Sequence, residues 1–237
     1  MCSGCRPLHS DPEPELSRDR EALVASLRER GIGEAALEAM ARVPRRAFLP
    51  SDQWGRASED RPLAIGFGQT CSQPWIVAVV LQAVDLRSGA SVLEVGAGSG
   101  YLAALLRAAG AARVVAVERL PQLASRARRN LNRLGVTGVR MVVGDGRLGV
   151  PPWGPFDVVI ISAATRHIPR PLLEQVGPGG RMVVPVIGPD DERLWCLARE
   201  ADGWARQDLG ECRFVPLLGE RDQASSAVDG ASVPPFP

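Results

Sequence analysis

The 237-residue chain has no apolar run approaching the ~18 residues that a membrane span needs, so no membrane partner is expected. Its N-terminus, Met-Cys-Ser-Gly-Cys-Arg-Pro, lacks the apolar segment of a secretory leader. There is little excess of either charge: acidic and basic residues nearly cancel, at a formal net +1. Proteins that hold nucleic acid by its phosphates usually carry a basic surplus or stripe, so no nucleic-acid partner is expected. The densest basic run, Arg126, Arg128 and Arg129, falls in a helical stretch and reads as a solvated face. Cysteine is sparse and odd in number, five in all, without the rhythm of a disulfide framework. A reducing, cytoplasmic location is the expectation. Cys2 and Cys5 form a C-x-x-C, but no second pair follows at zinc spacing, and no strand and helix flank it as a redox pair requires. No metal is expected. Histidine is scarcer still: His9 lies in a polar tail and His167 reads as an exposed loop residue.

What remains is enough for one sizeable core. Residues 1–14 and 220–237, polar and rich in Pro, Ser and Gly, are expected to be disordered. Residues 15–219 read as a single domain, with helices and a long loop over 15–90 and a sheet core over 91–219. A helix from Leu16 is stopped by Gly31; a second spans Glu34 to Arg42; a third starts at Pro74 and runs to Val84. Residues 48–73 hold Pro50, Gly55, Pro62, Gly66 and Gly68 and read as a loop without an element of its own. So long a connection is usually functional or disordered, and Trp54, Ile65 and Phe67 argue against disorder. From Ser91 short apolar runs alternate with helices: Val92–Val95, Val114–Val117, Val139–Val143, Val158–Ile161 and Met182–Val186, with a helix near Gly100 and another from Pro121 to Arg133. Runs apolar throughout indicate a mostly parallel, doubly wound sheet covered on both faces. Leu194–Ala198 and Phe214–Leu218 read as further strands, with an antiparallel pair at one edge.

The run Val92-Leu93-Glu94-Val95-Gly96-Ala97-Gly98-Ser99-Gly100-Tyr101 passes from strand to glycine turn to helix. Glycines let a ligand approach the backbone, and the helix N-terminus favours negative charge. A dinucleotide site needs its third glycine one residue later, where Tyr101 stands. Glu94 beside the turn would repel a pyrophosphate but suits an ammonium group, such as that of S-adenosylmethionine. Glu118, at the end of the second strand, can accept from both ribose hydroxyls. Asp145, in Gly144-Asp145-Gly146 after the third strand, can accept from an adenine amino group. Each alone is compatible with a plain turn or helix cap; together they predict S-adenosylmethionine as cofactor, held by Glu94, Gly96, Gly98, Gly100, Glu118, Asp145 and Gly146.

Two segments carry a resemblance. Val43-Pro44-Arg45-Arg46-Ala47-Phe48-Leu49-Pro50 resembles the helix-end motif of the protein-L-isoaspartate O-methyltransferase family. Glu59 through Pro74, with Gly68-Gln69-Thr70-Cys71-Ser72-Gln73-Pro74 at its centre, is similar to that family's diagnostic substrate loop. The likeness continues through the glycine turn, Glu118, Gly144-Asp145-Gly146, Pro155-Phe156-Asp157, Gly179-Gly180 and Arg213-Phe214-Val215-Pro216-Leu217, covering about residues 16–219. It implies a Rossmann-like, class I S-adenosylmethionine-dependent methyltransferase fold with an N-terminal helical and loop extension. It also implies methyl transfer to the free carboxylate of L-isoaspartyl or D-aspartyl residues in damaged proteins, with repair through a succinimide. By the same likeness Thr70, Ser72 and Val215 contact the peptide. The chain departs from the family's frequent Tyr, Pro and Ile at Ser58, Ala64 and Cys71.

A carboxylate is ionised at neutral pH and needs no general base, in keeping with the absence of an evident one. The enzyme's task is alignment, and Ser72 and Thr70, as neutral hydroxyl donors, are expected to hold the substrate carboxylate, with Ser72 the catalytic residue. Ser72 also has a plainer reading, as cap of the helix at Pro74. A base-methylating enzyme would carry a polar-Pro-Pro-aromatic motif after the fourth strand, where Ile161-Ser162-Ala163-Ala164-Thr165 stands. An oxidoreductase is disfavoured by Glu94 and Tyr101. A relative serving one dedicated aspartyl peptide, and a non-catalytic S-adenosylmethionine-binding protein, are the alternatives. A monomer is expected.

Overall fold

The computed structural model describes residues 14–219. The expectations for the two tails, for Cys2 and Cys5, and for His9 lie outside the described residues, except that Pro14 already opens a helix. That helix, α1 (Pro14–Glu29), ends before Gly31, whose φ of +91° a side chain would resist. α2 (Glu34–Arg42) buries Leu37 and Met40, and Val43 and Pro44 close it. α3 (Pro74–Val84) opens on a proline, whose missing N–H costs nothing at a helix start.

The stretch expected to be loop holds structure of its own. Two 3₁₀ turns, Arg45–Phe48 and Ser51–Arg56, lead into a small antiparallel hairpin of β1 (Leu63–Gly66) and β2 (Gln69–Cys71). Its strands are only four and three residues long, too short for periodicity to stand out among glycines and prolines.

The main sheet has seven strands: β3 (Ser91–Val95), β4 (Arg113–Glu118), β5 (Val139–Val143), β6 (Phe156–Ile161), β7 (Val176–Ile187), β8 (Glu192–Glu200) and β9 (Gly203–Glu211). Their order is β5-β4-β3-β6-β7-β8-β9, parallel as far as β7 and antiparallel beyond. α4 (Tyr101–Ala108), α5 (Pro121–Arg133) and the short α6 (Arg170–Glu174) lie in the crossovers. Side chains alternate strictly between two cores. Val92, Val114, Ala116, Val158 and Ile160 face one that also takes α1 to α5 and the hairpin. Leu93, Val95, Val115, Val117, Val159 and Ile161 face the other. Hence the strands are apolar throughout. Glu94 interrupts that pattern, one residue from Leu93 on the face that Val92 shares with the helices.

One expectation near the C-terminus is corrected, while the antiparallel edge is present. Phe214–Leu218 is no strand. It makes a single bridge, Ala164 to Pro216, through Ala164 N–H to Val215 O at 2.8 Å and Leu217 N–H to Ala164 O at 2.7 Å. Pro216 has no N–H to extend the ladder. The edge strand is instead β9, whose exposed Arg206, Gln207 and Asp208 blur the apolar signal.

Candidate functional site

β3 pairs with β4 on one side and β6 on the other, so the connections leaving β3 and β6 diverge and open a crevice at their C-terminal ends. The chain leaves β3 through Gly96, Gly98 and Gly100, at φ of +88°, +54° and +85°. The N–H groups of Gly96 and Ala97 donate to Val117 O, which docks the turn on β4. Glu118 ends β4 and is 7 % exposed. One of its oxygens accepts from Gly98 N–H and the other from Leu120 N–H, both at 2.9 Å. Its carboxylate is thus fixed while each oxygen keeps a lone pair.

Glu94 is 1 % exposed, and its Oε2 has no hydrogen-bond partner. Burial, helped by the nearby charge of Glu118, pushes its carboxyl well above the usual carboxylate range. The third strand end supplies Gly146, where a Cβ would lie 2.4 Å from Val95 Cγ1. Glu94, Gly96, Gly98, Glu118 and Gly146 all line a divided cleft, with compartments of about 50 and about 150 Å³. Two residues expected there do not line it. Gly100 lies behind the turn as the N-cap of α4, where a Cβ would press on Ala127 at 3.2 Å. Asp145 receives Arg147 N–H at 3.0 Å and pairs with the Arg147 guanidinium at 2.8 Å.

Over the cleft sits the β1–β2 hairpin. Ile65 would meet a Cβ on Gly98 at 3.2 Å, so hairpin and glycine turn are in contact. Thr70 and Ser72 line the smaller compartment with Glu94 and Tyr101; Thr70 and Val215 line the larger with Glu118. Ser72 does not cap α3. Asp60 does, accepting from Trp75 N–H at 2.8 Å, while the N-cap residue Gln73 makes no side-chain bond.

Some contributors escaped the sequence reading. Arg45 is 5 % exposed, and its guanidinium donates to the carbonyls of Ala57, Glu59, Arg61, Cys71 and Ser72, at 2.8–3.2 Å. Buried arginine is rare unless its donors are answered, and here Nη1 and Nη2 gather the loop while Nε has no partner. Arg126, read as part of a solvated face, is half-buried and donates to Ile65 O, tying the hairpin to α5. Arg128 reaches Met141 O at 3.0 Å, whereas Arg129 keeps to its own helix through Ser125. Ser162 lines both compartments; its place just past β6, beside the crevice, was the available signal. His167 is exposed. Among the described residues no group of His, Cys, Asp and Glu is arranged to hold a metal, and no helix is long and apolar enough to cross a membrane.

A doubly wound sheet whose glycine turn presents a buried, unpaired carboxylate oxygen on one side and a fixed carboxylate on the next strand is the frame of an S-adenosylmethionine-dependent methyltransferase. The residues suit that cofactor: Glu94 offers an unanswered acceptor for an ammonium group, and Glu118 and Gly146 line the larger compartment together. The family model described as Protein-L-isoaspartate(D-aspartate) O-methyltransferase matches residues 18–222. The protein-L-isoaspartate O-methyltransferase of Methanoculleus marisnigri is 50 % identical over 215 residues, covering 90 % of this chain and 96 % of that protein. That of Aeropyrum pernix is 48 % identical over 218 residues, covering 89 % and 82 %. A solved protein-L-isoaspartate O-methyltransferase superposes with a TM-score of 0.78 at 31 % identity, covering 84 % of this chain and 66 % of the other. A Plasmodium falciparum structure determined with S-adenosyl-L-homocysteine shares the fold at a TM-score of 0.74 and 20 % identity. The chain belongs to the protein-L-isoaspartate(D-aspartate) O-methyltransferase family.

Proposed function

We propose that the protein methylates the free carboxylate of L-isoaspartyl (and D-aspartyl) residues in damaged proteins and peptides, with S-adenosylmethionine as methyl donor, and so starts their repair through a succinimide. The observation that carries this reading is the hairpin itself: Thr70 and Ser72 line the same compartment as Glu94 and the glycine turn. When bound, the cofactor supplies a methyl group already activated on a sulfonium. The chain's own residues then have two tasks.

The first is to hold the donor. Glu94 answers its ammonium, Gly96 and Gly98 give it bare backbone, Glu118 takes its ribose hydroxyls, and Gly146 flanks its base. Gly100 serves the same purpose indirectly, by seating α4. The second is to hold the acceptor. The hydroxyls of Thr70 and Ser72 orient the substrate carboxylate, and Val215 packs against the peptide. Neutral hydroxyls suit this role, because a cation would hold the attacking oxygen's charge too firmly. Alignment of this kind can contribute roughly 7–11 kcal/mol, and no proton has to be removed. The free thiols of Cys71, Cys196 and Cys212 accord with a reducing, cytoplasmic setting, and the protein acts as a monomer, without nucleic acid or membrane.

The test is transfer of labelled methyl to matched peptides containing isoaspartate or aspartate at one position. Base-labile label on the isoaspartyl peptide alone is expected; label on neither would overturn the reading.

A further inference from the structure

Gly66, Phe67 and Gly68 turn the chain from β1 into β2 with φ of +88°, +56° and +69°. Positive φ at both central residues is the mark of the primed hairpin turn, for which Asn-Gly is the favoured pair. Gly68 meets the demand; Phe67 does not, since an L-residue with a bulky side chain is strained there. Phe67 is also 52 % exposed, so its ring gains little from the core. A residue that costs both backbone strain and exposed apolar surface is a pointer to function.

Its surroundings say what kind. Gly68, Gln69 and Thr70, the next three residues, line the larger compartment. Leu218 lines it from the other side and is 38 % exposed. Leu148, 60 % exposed, ends the turn that starts at Gly146, and Val143, 42 % exposed, pairs with Glu118 across β4 and β5. Among the described residues, Trp54 is the one exposed large apolar side chain away from these loops, and its indole N–H is tied to Leu49 O at 3.1 Å. The turn is held at its base: Arg126 donates to Ile65 O, and Gln69 Nε2 donates to Phe67 O at 3.3 Å.

We infer that Phe67 is a specificity-determining residue that packs against an apolar side chain adjacent to the isoaspartyl residue of the peptide. The occupant is substrate, because the ring stands on the hairpin that presents Thr70 and Ser72. The inference rests on the function proposed above.

The experiment compares two isoaspartyl peptides that differ only in the flanking residues, leucine in one and serine in the other, on the full chain and on Phe67→Asn. Asparagine suits the turn, so the variant is expected to melt at or above the parent temperature. The parent should favour the leucine peptide by about tenfold in kcat/KM, carried by KM, and the variant should lose that preference while its KM for S-adenosylmethionine is unchanged. Activity on both peptides without a parent preference, or a preference that survives in Phe67→Asn, would overturn this inference and leave the proposed function standing. A raised cofactor KM with the preference intact would overturn it too, assigning Phe67 to the nucleoside. No activity of the parent on either peptide would instead sink the proposed function itself.

Discussion

Glu94 occupies a strand position whose neighbours, Leu93, Val95, Ala116 and Ile160, are all apolar, and it is buried there with an oxygen unanswered. Its folded-state proton affinity is raised by that burial and by Glu118, so the sign of its effect on stability is fixed. Below about pH 4.3 the carboxyl is protonated in folded and unfolded chains alike and carries no penalty. As pH rises from there to the elevated folded value, only the unfolded chain releases its proton, and stability falls across that window. Cofactor-free Glu94→Gln should therefore melt higher than the parent at neutral pH and lose this advantage toward pH 4, as thermal melts in a pH series would show. The same variant should bind S-adenosylmethionine more weakly by calorimetry, and equal affinity would contradict the ammonium role. Ser72→Ala should cut turnover about 10- to 100-fold with cofactor affinity nearly unchanged, since a hydrogen bond to a charged group contributes about 1.5–3 kcal/mol. Full activity of that variant on an isoaspartyl peptide would contradict the assignment. These positions were legible because chemistry marks them: an acid inside an apolar run, a hydroxyl pair beside glycine. Asp145 was legible only as an acid at a strand end; that its carboxylate would turn to Arg147 is a matter of side-chain geometry that spacing does not encode.

At the level of elements, the hairpin is where the sequence pattern is that of a loop and the folded protein builds structure. Its order comes from a distance: Arg45, near the end of the N-terminal helices, joins carbonyls spread from Ala57 to Ser72. Arg45→Met should leave those carbonyls short of donors and cost about 3 kcal/mol or more. The expected outcome is a lower Tm and a loss in kcat larger than the change in cofactor affinity. Arg45→Lys, with one cationic head for five carbonyls, should restore only part of both. A tight packing relation tests the cofactor side in the same way. Gly146→Ala should destabilise the protein by about 1–3 kcal/mol through the Val95 side chain, and adding Val95→Ala should return most of that loss. If the double variant were no more stable than Gly146→Ala alone, the contact would not be the cause. α3, α5 and β5 begin and end where proline, glycine and apolar periodicity place them, whereas β7 starts six residues before its apolar run, at Val176, because Gly177, Pro178, Gly179 and Gly180 hide its first half. β9 went unread because an edge strand buries little and needs no apolar rhythm.

Across the whole molecule, the N-terminal helices and the sheet are not separate bodies. Leu27, Leu37, Phe48 and Ile65 share one core with Leu105, Leu123 and Ile160, and the Phe48 ring packs tilted against Tyr101 with ring centres 5.4 Å apart. We propose that residues 15–219 unfold as one unit. A single denaturant transition, coincident by far-ultraviolet circular dichroism and tryptophan fluorescence, is the expected result, and two separated transitions would refute it. The crevice itself owes its position to no single side chain. It opens where the winding of the sheet reverses between β3 and β6, whereas the acceptor is presented by a hairpin that the chain completes before the first of those strands begins. Donor seat and acceptor arm are therefore consecutive inheritances along one polypeptide, connected in the chain through α3 and held together by Ile65 against Gly98 and by Arg126. A lineage that keeps Ile65 against Gly98 can remodel the exposed turn at residues 66–68 for a new acceptor, and the modest insertions such remodelling brings would fall on the surface, ahead of everything that has to stay in register.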